Sequence, residues 1–224
     1  INNEKLPRCV IIKRLESEKT MTFNDLNLKE PLLRAVNEMG FEQPSPIQEE
    51  AIPALLQGRD VLGQSHTGSG KTAAFGLPLL NNIETLDNRK TAALILAPTR
   101  ELCLQVADEM RKFAKYMEGI RIVSVYGGQP IDRQIADIRK GSDIVIATPG
   151  RLLDHIRRRT LRFENCKTVI LDEADEMLNM GFLEEVHDIF KELPEDRQTV
   201  LFSATMPKAI AQLASTFQKD VHHI

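Results

Sequence analysis

From about residue 92 onward the chain repeats one pattern: a short apolar run, a polar or Gly-containing cluster, then apolar positions recurring every three or four residues. The apolar runs are Ala92–Ala97, Ile120–Tyr126, Asp143–Ala147, Thr168–Leu171 and Thr199–Phe202. They lack polar alternation, which predicts strands buried on both faces. The periodic stretches Arg100–Glu118, Ile131–Arg139, Gly150–Arg157, Asp175–Leu193 and Lys208–Phe217 predict helices between them. Strand–helix alternation predicts an α/β fold, a mostly parallel sheet with helices on both faces. Upstream, Leu28, Leu32, Leu33, Val36 and Met39 stand at helical spacing before Gly40. A loop holding Pro44 and Pro46 follows, then a second predicted helix from Glu49 to Gln57. Residues 21–224 read as one domain, and the charged flank 1–20, around Cys9-Val10-Ile11-Ile12, is either flexible or an extra strand.

A further apolar run, Asp60-Val61-Leu62-Gly63, leads into Ser65-His66-Thr67-Gly68-Ser69-Gly70-Lys71-Thr72, and a helix-like stretch follows. Strand, Gly-rich loop and helix together make a phosphate-binding loop. Gly68 and Gly70 let backbone N–H groups converge on an anion, and the helix that starts at Lys71 adds the positive end of its dipole. Lys71 would reach the β and γ phosphates, and the Thr72 hydroxyl would hold Mg²⁺. Ser65 stands where this loop usually starts with Gly or Ala, and it is small enough to fit. His66 reads as a spacer.

Each predicted strand ends in a polar or Gly-containing cluster. These are Pro98-Thr99-Arg100, Gly127-Gly128, Thr148-Pro149-Gly150-Arg151, Asp172-Glu173-Ala174-Asp175 and Ser203-Ala204-Thr205. In open α/β sheets the carboxyl ends of the strands form the ligand edge. Asp172, at the end of an apolar strand, suits a metal held opposite the phosphate loop. Glu173 would face the γ phosphate and could deprotonate an attacking water. Gln48 can pair with the adenine edge, and Phe41 can stack on the base.

Composition narrows the picture without redirecting it. The chain has 224 residues, 42% of them apolar, and a formal net charge of −3. That excludes a wholly basic nucleic-acid coat but leaves room for a local basic groove. The run Arg157-Arg158-Arg159 is either a solvated face or an RNA contact. The three cysteines, Cys9, Cys103 and Cys166, show no metal or disulfide spacing, and reduced thiols fit an intracellular protein, cytoplasmic or, in a eukaryote, nuclear. No apolar run approaches the ~20 residues that cross a bilayer, and no signal peptide opens the chain. The first residue is Ile, so the chain is expected to be a fragment or a processed form.

Together these segments resemble the DEAD-box RNA helicases, whose name is spelled by Asp172-Glu173-Ala174-Asp175. The resemblance covers about residues 21–224 and includes the loop ending in Gln48 and the upstream aromatic Phe23. It implies a RecA-like P-loop NTPase fold, the first of two such domains, in an ATP-dependent RNA helicase that uses ATP and Mg²⁺. It implies nucleotide contacts from Phe23, Phe41, Gln43, Gln48, Thr67, Gly68, Ser69, Gly70, Lys71 and Thr72. Catalysis would fall to Lys71, Asp172 and Glu173, with Thr72 and Asp172 on the metal. Pro98, Thr99, Arg100, Gly127, Gly128, Thr148, Gly150 and Arg151 would grip one RNA strand by its backbone. Asp175, Ser203 and Thr205 would link the two activities. The implied partners are RNA, the second RecA-like domain and protein stimulators, acting on a monomer. A related DNA helicase and an ATP-gated RNA clamp without productive turnover are the rival readings. Tyr126-Gly127-Gly128-Gln129 echoes the signature of ABC-type ATPases but lies far upstream of the acidic pair. No Asn-Lys-x-Asp base reader for GTP is present.

Overall fold

The computed structural model describes residues 21–66, 68–84 and 90–224. The flank 1–20 and Thr67 lie outside them. The strands are β1 (Val61–Gln64), β2 (Ala93–Leu96), β3 (Ile122–Val125), β4 (Ile144–Ala147), β5 (Thr168–Leu171), β6 (Gln198–Ser203) and β7 (His222–His223). They form one seven-stranded sheet in the order β3-β4-β2-β5-β6-β1-β7. Every pairing between them is parallel. The helices are α1 (Glu30–Glu38), α2 (Pro46–Leu56), α3 (Lys71–Asn82), α4 (Arg100–Phe113), α5 (Ile131–Arg139), α6 (Pro149–Arg157), α7 (Ala174–Asn179), α8 (Leu183–Lys191) and α9 (Lys208–Phe217).

Strand residues alternate between two cores because successive side chains point to opposite faces. Val61, Ile95, Ile146, Ile170 and Phe202 join the core beneath α1 to α4. Leu62, Leu94, Leu96, Val145, Val169 and Leu201 join the core beneath α6 to α9. Both faces are therefore apolar, which is why these strands carry no polar alternation. The register brings the strand carboxyl ends level: Leu96 pairs with Ala147 and Leu171, and Gln64 pairs with Ser203.

Gly63 on β1 is the register partner of Phe202 on β6 and leaves room for its ring. A Cβ there would overlap the ring of Phe202, which is fully buried and packs on Phe75 with ring centroids 5.9 Å apart. Gly63→Ala is expected to destabilise the fold by about 1–3 kcal/mol, the usual effect of overpacking a filled core. A denaturation midpoint equal to that of the parent chain would show that Phe202 can step aside.

Most element ends fall within two residues of the sequence expectation, and four elements depart from it further. The second helix starts at Pro46, not Glu49, because proline presets the first helical turn and the Ser45 N–H donates to Gln48 Oε1 at 2.9 Å. The stretch Asp175–Leu193 is two helices, broken where Gly181 takes φ +82°. The α4 helix ends at Phe113 and tightens into a 3-10 turn, Ala114–Tyr116, instead of reaching Glu118. The edge strand β7 is two residues long and had no pattern to announce it.

Candidate functional site

The loop between β1 and α3 is held closed from two sides. Its Ser65 N–H donates to the Ser203 carbonyl at 3.0 Å, which moors it to the end of β6. From α2, the Gln48 amide donates to the Gly70 carbonyl at 3.0 Å, and the Ser45 hydroxyl donates to the Ser69 carbonyl at 2.9 Å. The Ser65 and Ser69 hydroxyls also bond to each other. Gly70 caps α3 in the left-handed region at φ 90°, and a Cβ there would overlap the Gln48 amide. Gly68 is also left-handed, at φ 85°. Only glycine adopts such geometry without strain.

The first side chain of α3 is Lys71, only 6% exposed. Its Nζ lies 3.6 Å from Asp172 Oδ1 and 3.8 Å from Glu173 Oε1. Those separations are ionic, but too long for hydrogen bonds. Lys71 Nζ and Asp172 Oδ1 are both buried without a hydrogen-bond partner. The two charges face each other, but buried polar atoms without hydrogen bonds are costly, and such a pair suits a place where a further group could bind. Burial pushes the Asp172 carboxyl up to about 6; Lys71 pulls it down and Glu173 adds to the rise. Glu173 caps α7 at φ 54° and ψ 54°, a left-handed conformation that costs a non-glycine residue about 1–3 kcal/mol. Backbone strain of this kind gathers where a side chain must be aimed.

A Gly-rich loop at a helix N-terminus, a buried lysine and a strand-end carboxylate pair therefore lie together at the carboxyl edge of the sheet. Residues 45–213 match the DEAD/DEAH box helicase family. This chain belongs to that family. It is 54% identical over 208 residues to the ATP-dependent RNA helicase DeaD of Klebsiella pneumoniae, covering 93% of this chain and 32% of that protein. It is 52% identical over 203 residues to the DEAD-box ATP-dependent RNA helicase CshA of Bacillus cereus, covering 91% of this chain and 38% of that protein. The chain thus spans about a third of the length of these curated relatives. The crystal structure of a DEAD box protein from the hyperthermophile Methanococcus jannaschii superposes with a TM-score of 0.86 at 46% identity, over 91% of this chain and 55% of that one. The fold is a RecA-like P-loop domain.

Beyond the phosphate loop, the remaining DEAD-box segments fall on the same edge of the sheet. Asp175 reaches from the acidic cluster to the end of β6. It accepts from the Thr205 N–H at 2.9 Å and the Thr205 hydroxyl at 2.8 Å, while its own N–H donates to Ser203 Oγ at 3.2 Å. Burial would raise the Asp175 carboxyl, but the bonds from Thr205, Ser203 and Ala204 outweigh it and hold the group below the usual range. The three residues expected to couple the activities are thus one hydrogen-bonded unit.

The nucleotide-loop residues divide. Phe23 is buried in a 3-10 turn and packs on the half-exposed Phe41 at 5.9 Å, while Gln43 is exposed. Thr72 is half-buried beside Lys71. On the adjoining loops, Pro98 is buried, and Thr99 caps α4 by accepting from the Leu102 N–H at 3.2 Å. Arg100 is exposed, with its guanidinium 5.1 Å from the centre of the Tyr126 ring. Gly127, Gly128 and Gly150 are exposed, and Thr148 caps α6. Arg151 differs from the free cation its position suggests: its Nη1 donates to the Gln129 carbonyl at 2.8 Å and to Gln134 Oε1 at 3.2 Å.

Gln134 and His155 went unnoticed in the sequence. Both are buried, and neither a lone Gln nor a lone His on an amphipathic helix signals a network. The basic run lies elsewhere. Arg158 pairs with Asp154 at 2.9 Å, while Arg157 and Arg159 line a cavity of about 570 Å³ with Leu161, Arg162 and Glu192. An adjoining cavity includes Arg159 with Lys90, Thr91 and Ser142, which precede β2 and β4, so the run faces the amino-terminal edge of the sheet. Among the described residues no helix is long and apolar enough to cross a membrane. Cys103 and Cys166 are buried free thiols.

Proposed function

We propose that this chain is the ATP-binding half of an ATP-dependent RNA helicase, gripping RNA along the edge that carries Arg100, Gly128 and Gly150. The observation that carries the nucleotide half is the unpartnered pair Lys71 Nζ and Asp172 Oδ1, buried 3.6 Å apart at the mouth of a Gly-rich loop. A triphosphate would give Lys71 its missing acceptor. The N–H groups of the loop and the start of α3 would take up the remaining phosphate charge. A divalent cation would give Asp172 its missing partner. The donor set suits Mg²⁺: a hydroxyl on Thr72 and a carboxylate on Asp172 are the hard oxygen donors this ion takes. When bound, Mg²⁺ neutralises charge that builds on the phosphate oxygens. Glu173 then takes the proton of the attacking water.

Gln48 can serve base and loop together. Its carboxamide spends one N–H on Gly70 and one lone pair on Ser45, which leaves one donor and one acceptor. Those match the N7 and N6–H edge of adenine. Gln48→Ala is therefore expected to weaken ATP by about 1–3 kcal/mol more than GTP or UTP, above a smaller loss shared by all three from the loosened loop. Equal losses for the three nucleotides in a binding titration would leave Gln48 with the loop alone.

The RNA half rests on residues suited to sugar–phosphate contact: exposed Arg100, the hydroxyls of Thr99 and Thr148, and exposed glycines. The deciding experiment measures phosphate release by this chain together with a second RecA-like domain, with RNA or DNA of one sequence as the stimulant. RNA stimulation well above DNA is expected. Equal stimulation would indicate a DNA helicase, and tight RNA binding with no release would indicate a clamp.

A further inference from the structure

We infer that Gln134 is a positioning residue that fastens the candidate RNA-gripping loops into one surface, acting through Arg151 and through the loop that follows β3. The inference rests on the RNA-backbone reading proposed above. The loops in question follow β2, β3 and β4, and β3 pairs with β4, which pairs with β2. Adjacent loops with so many exposed glycines have little side-chain packing to hold their relative positions. Gln134 supplies what they lack.

The Gln134 carboxamide is only 2% exposed, and all four of its bonding positions are filled. Its Nε2 donates to the Tyr126 carbonyl at 2.8 Å and to Gln129 Oε1 at 3.0 Å. Its Oε1 accepts from Arg151 Nη1 at 3.2 Å and faces His155 Nε2 at 3.0 Å. An amide carries two N–H groups and two lone pairs, so this one cannot turn over without losing every bond. Because Oε1 accepts, the neutral His155 ring carries its proton on Nε2, while Nδ1 lies 2.7 Å from the Thr160 hydroxyl. Burial, with Arg151 second, pushes His155 down to about 4, so the ring stays neutral at physiological pH. The chain of contacts then continues outward: the Arg100 guanidinium lies over the ring of Tyr126, whose carbonyl Gln134 holds. Arg100, the Gly127-Gly128 turn and Arg151 are thereby joined through one buried side chain. Arg151 Nη1 is consumed inside this network, so its remaining nitrogens and the first turn of α6 are what it offers to a phosphate.

The test is a double-mutant cycle on RNA binding by this chain, using a labelled single strand over a range of salt. Gln134→Leu and Arg151→Ala should each weaken RNA about tenfold, as expected when a hydrogen bond to a charged group is removed. Each should flatten the salt dependence by up to roughly 0.7 in log–log slope, one single-strand phosphate contact. The pair together should lose clearly less than the sum of the two single losses, because part of the Gln134 effect runs through the residue already removed. Adenine-nucleotide affinity should be unchanged in all three. Losses that add, an unweakened Gln134→Leu, or nucleotide affinity that falls in parallel would each overturn the positioning role. If Arg151→Ala has no effect while Arg100→Ala weakens RNA, the RNA surface stands and the inference fails; if neither weakens RNA, both fail together. Should the Leu variant not fold, Gln134→Glu keeps the volume and both accepting bonds but loses both donors. It should then loosen the Gly127-Gly128 turn, read as faster amide exchange at those glycines, with RNA affinity falling alongside it. Unchanged exchange and affinity in the Glu variant would overturn the inference equally.

Discussion

Glu173→Gln is expected to leave Mg²⁺–ATP bound and to lower its hydrolysis by about 10²–10⁴-fold, the usual contribution of a positioned general base. The substitution is nearly isosteric, and the left-handed backbone at φ 54° that aims the side chain is a property of the turn into α7. What changes is chemistry: an amide cannot take the proton from water. Lys71 keeps Asp172 at 3.6 Å, so the cation that would meet the phosphates retains a carboxylate neighbour and affinity should hold. Asp172→Asn is the contrast. It removes the buried carboxylate whose Oδ1 lacks a partner, and should weaken metal-dependent nucleotide binding before any effect on the bond-breaking step. Single-turnover phosphate release, with RNA and the second RecA-like domain supplied, separates the two. Normal turnover in the Gln variant would end the general-base assignment, and a parallel loss of affinity would make Glu173 a binding residue.

The parts of this site that could be read in the sequence are those where one local rule decides the outcome. Buried parallel strands must be continuously apolar, so β2 to β6 announced themselves, and the ligand edge followed from the polar clusters at their ends. Gly70, Lys71, Asp172 and Glu173 could be singled out because a Gly-rich loop ahead of a helix and an apolar strand ending in carboxylates are each local patterns, and the structure brings the three side chains together. The joining of Asp175 to Ser203 and Thr205 was anticipated only through the family resemblance, since no local pattern links residues nearly thirty positions apart. Other features depend on contacts that spacing does not encode. Gln134, His155 and Arg151 meet only because β3 lies beside β4, and a buried amide with all four positions filled looks in sequence like any polar residue on a helix. Two missed boundaries have local causes that were underweighted: Pro46 as a helix start and Gly181 as a helix break. The basic run was read by composition, and composition does not say which end of the sheet a helix C-terminus reaches.

The 224-residue chain tested alone is expected to hydrolyse ATP about 10³–10⁵-fold more slowly than when a second RecA-like domain is supplied, the range attributed to an arginine finger in this chemistry. The geometry gives the reason. Gly68 is exposed, and Ser69, Thr72 and Glu173 are half-exposed, so the place where a γ phosphate would sit opens toward solvent. Charge that develops there is screened by water, and the site's electrostatic help is correspondingly small. Lys71 is the cation that the phosphate loop itself contributes, and it already faces two carboxylates. A second domain closing over this edge would exclude water and bring a fresh cation, and the curated relatives matched here are more than twice as long as this chain. Folding is not the obstacle, because the sheet carries its own core on each face. Phosphate release at saturating ATP, Mg²⁺ and RNA is therefore compared with and without the second domain, over a range of chain concentrations. A large stimulation that is independent of chain concentration is the expected result. Full turnover by the chain alone, rising with its concentration, would sink the prediction and show that a second copy supplies the missing arginine.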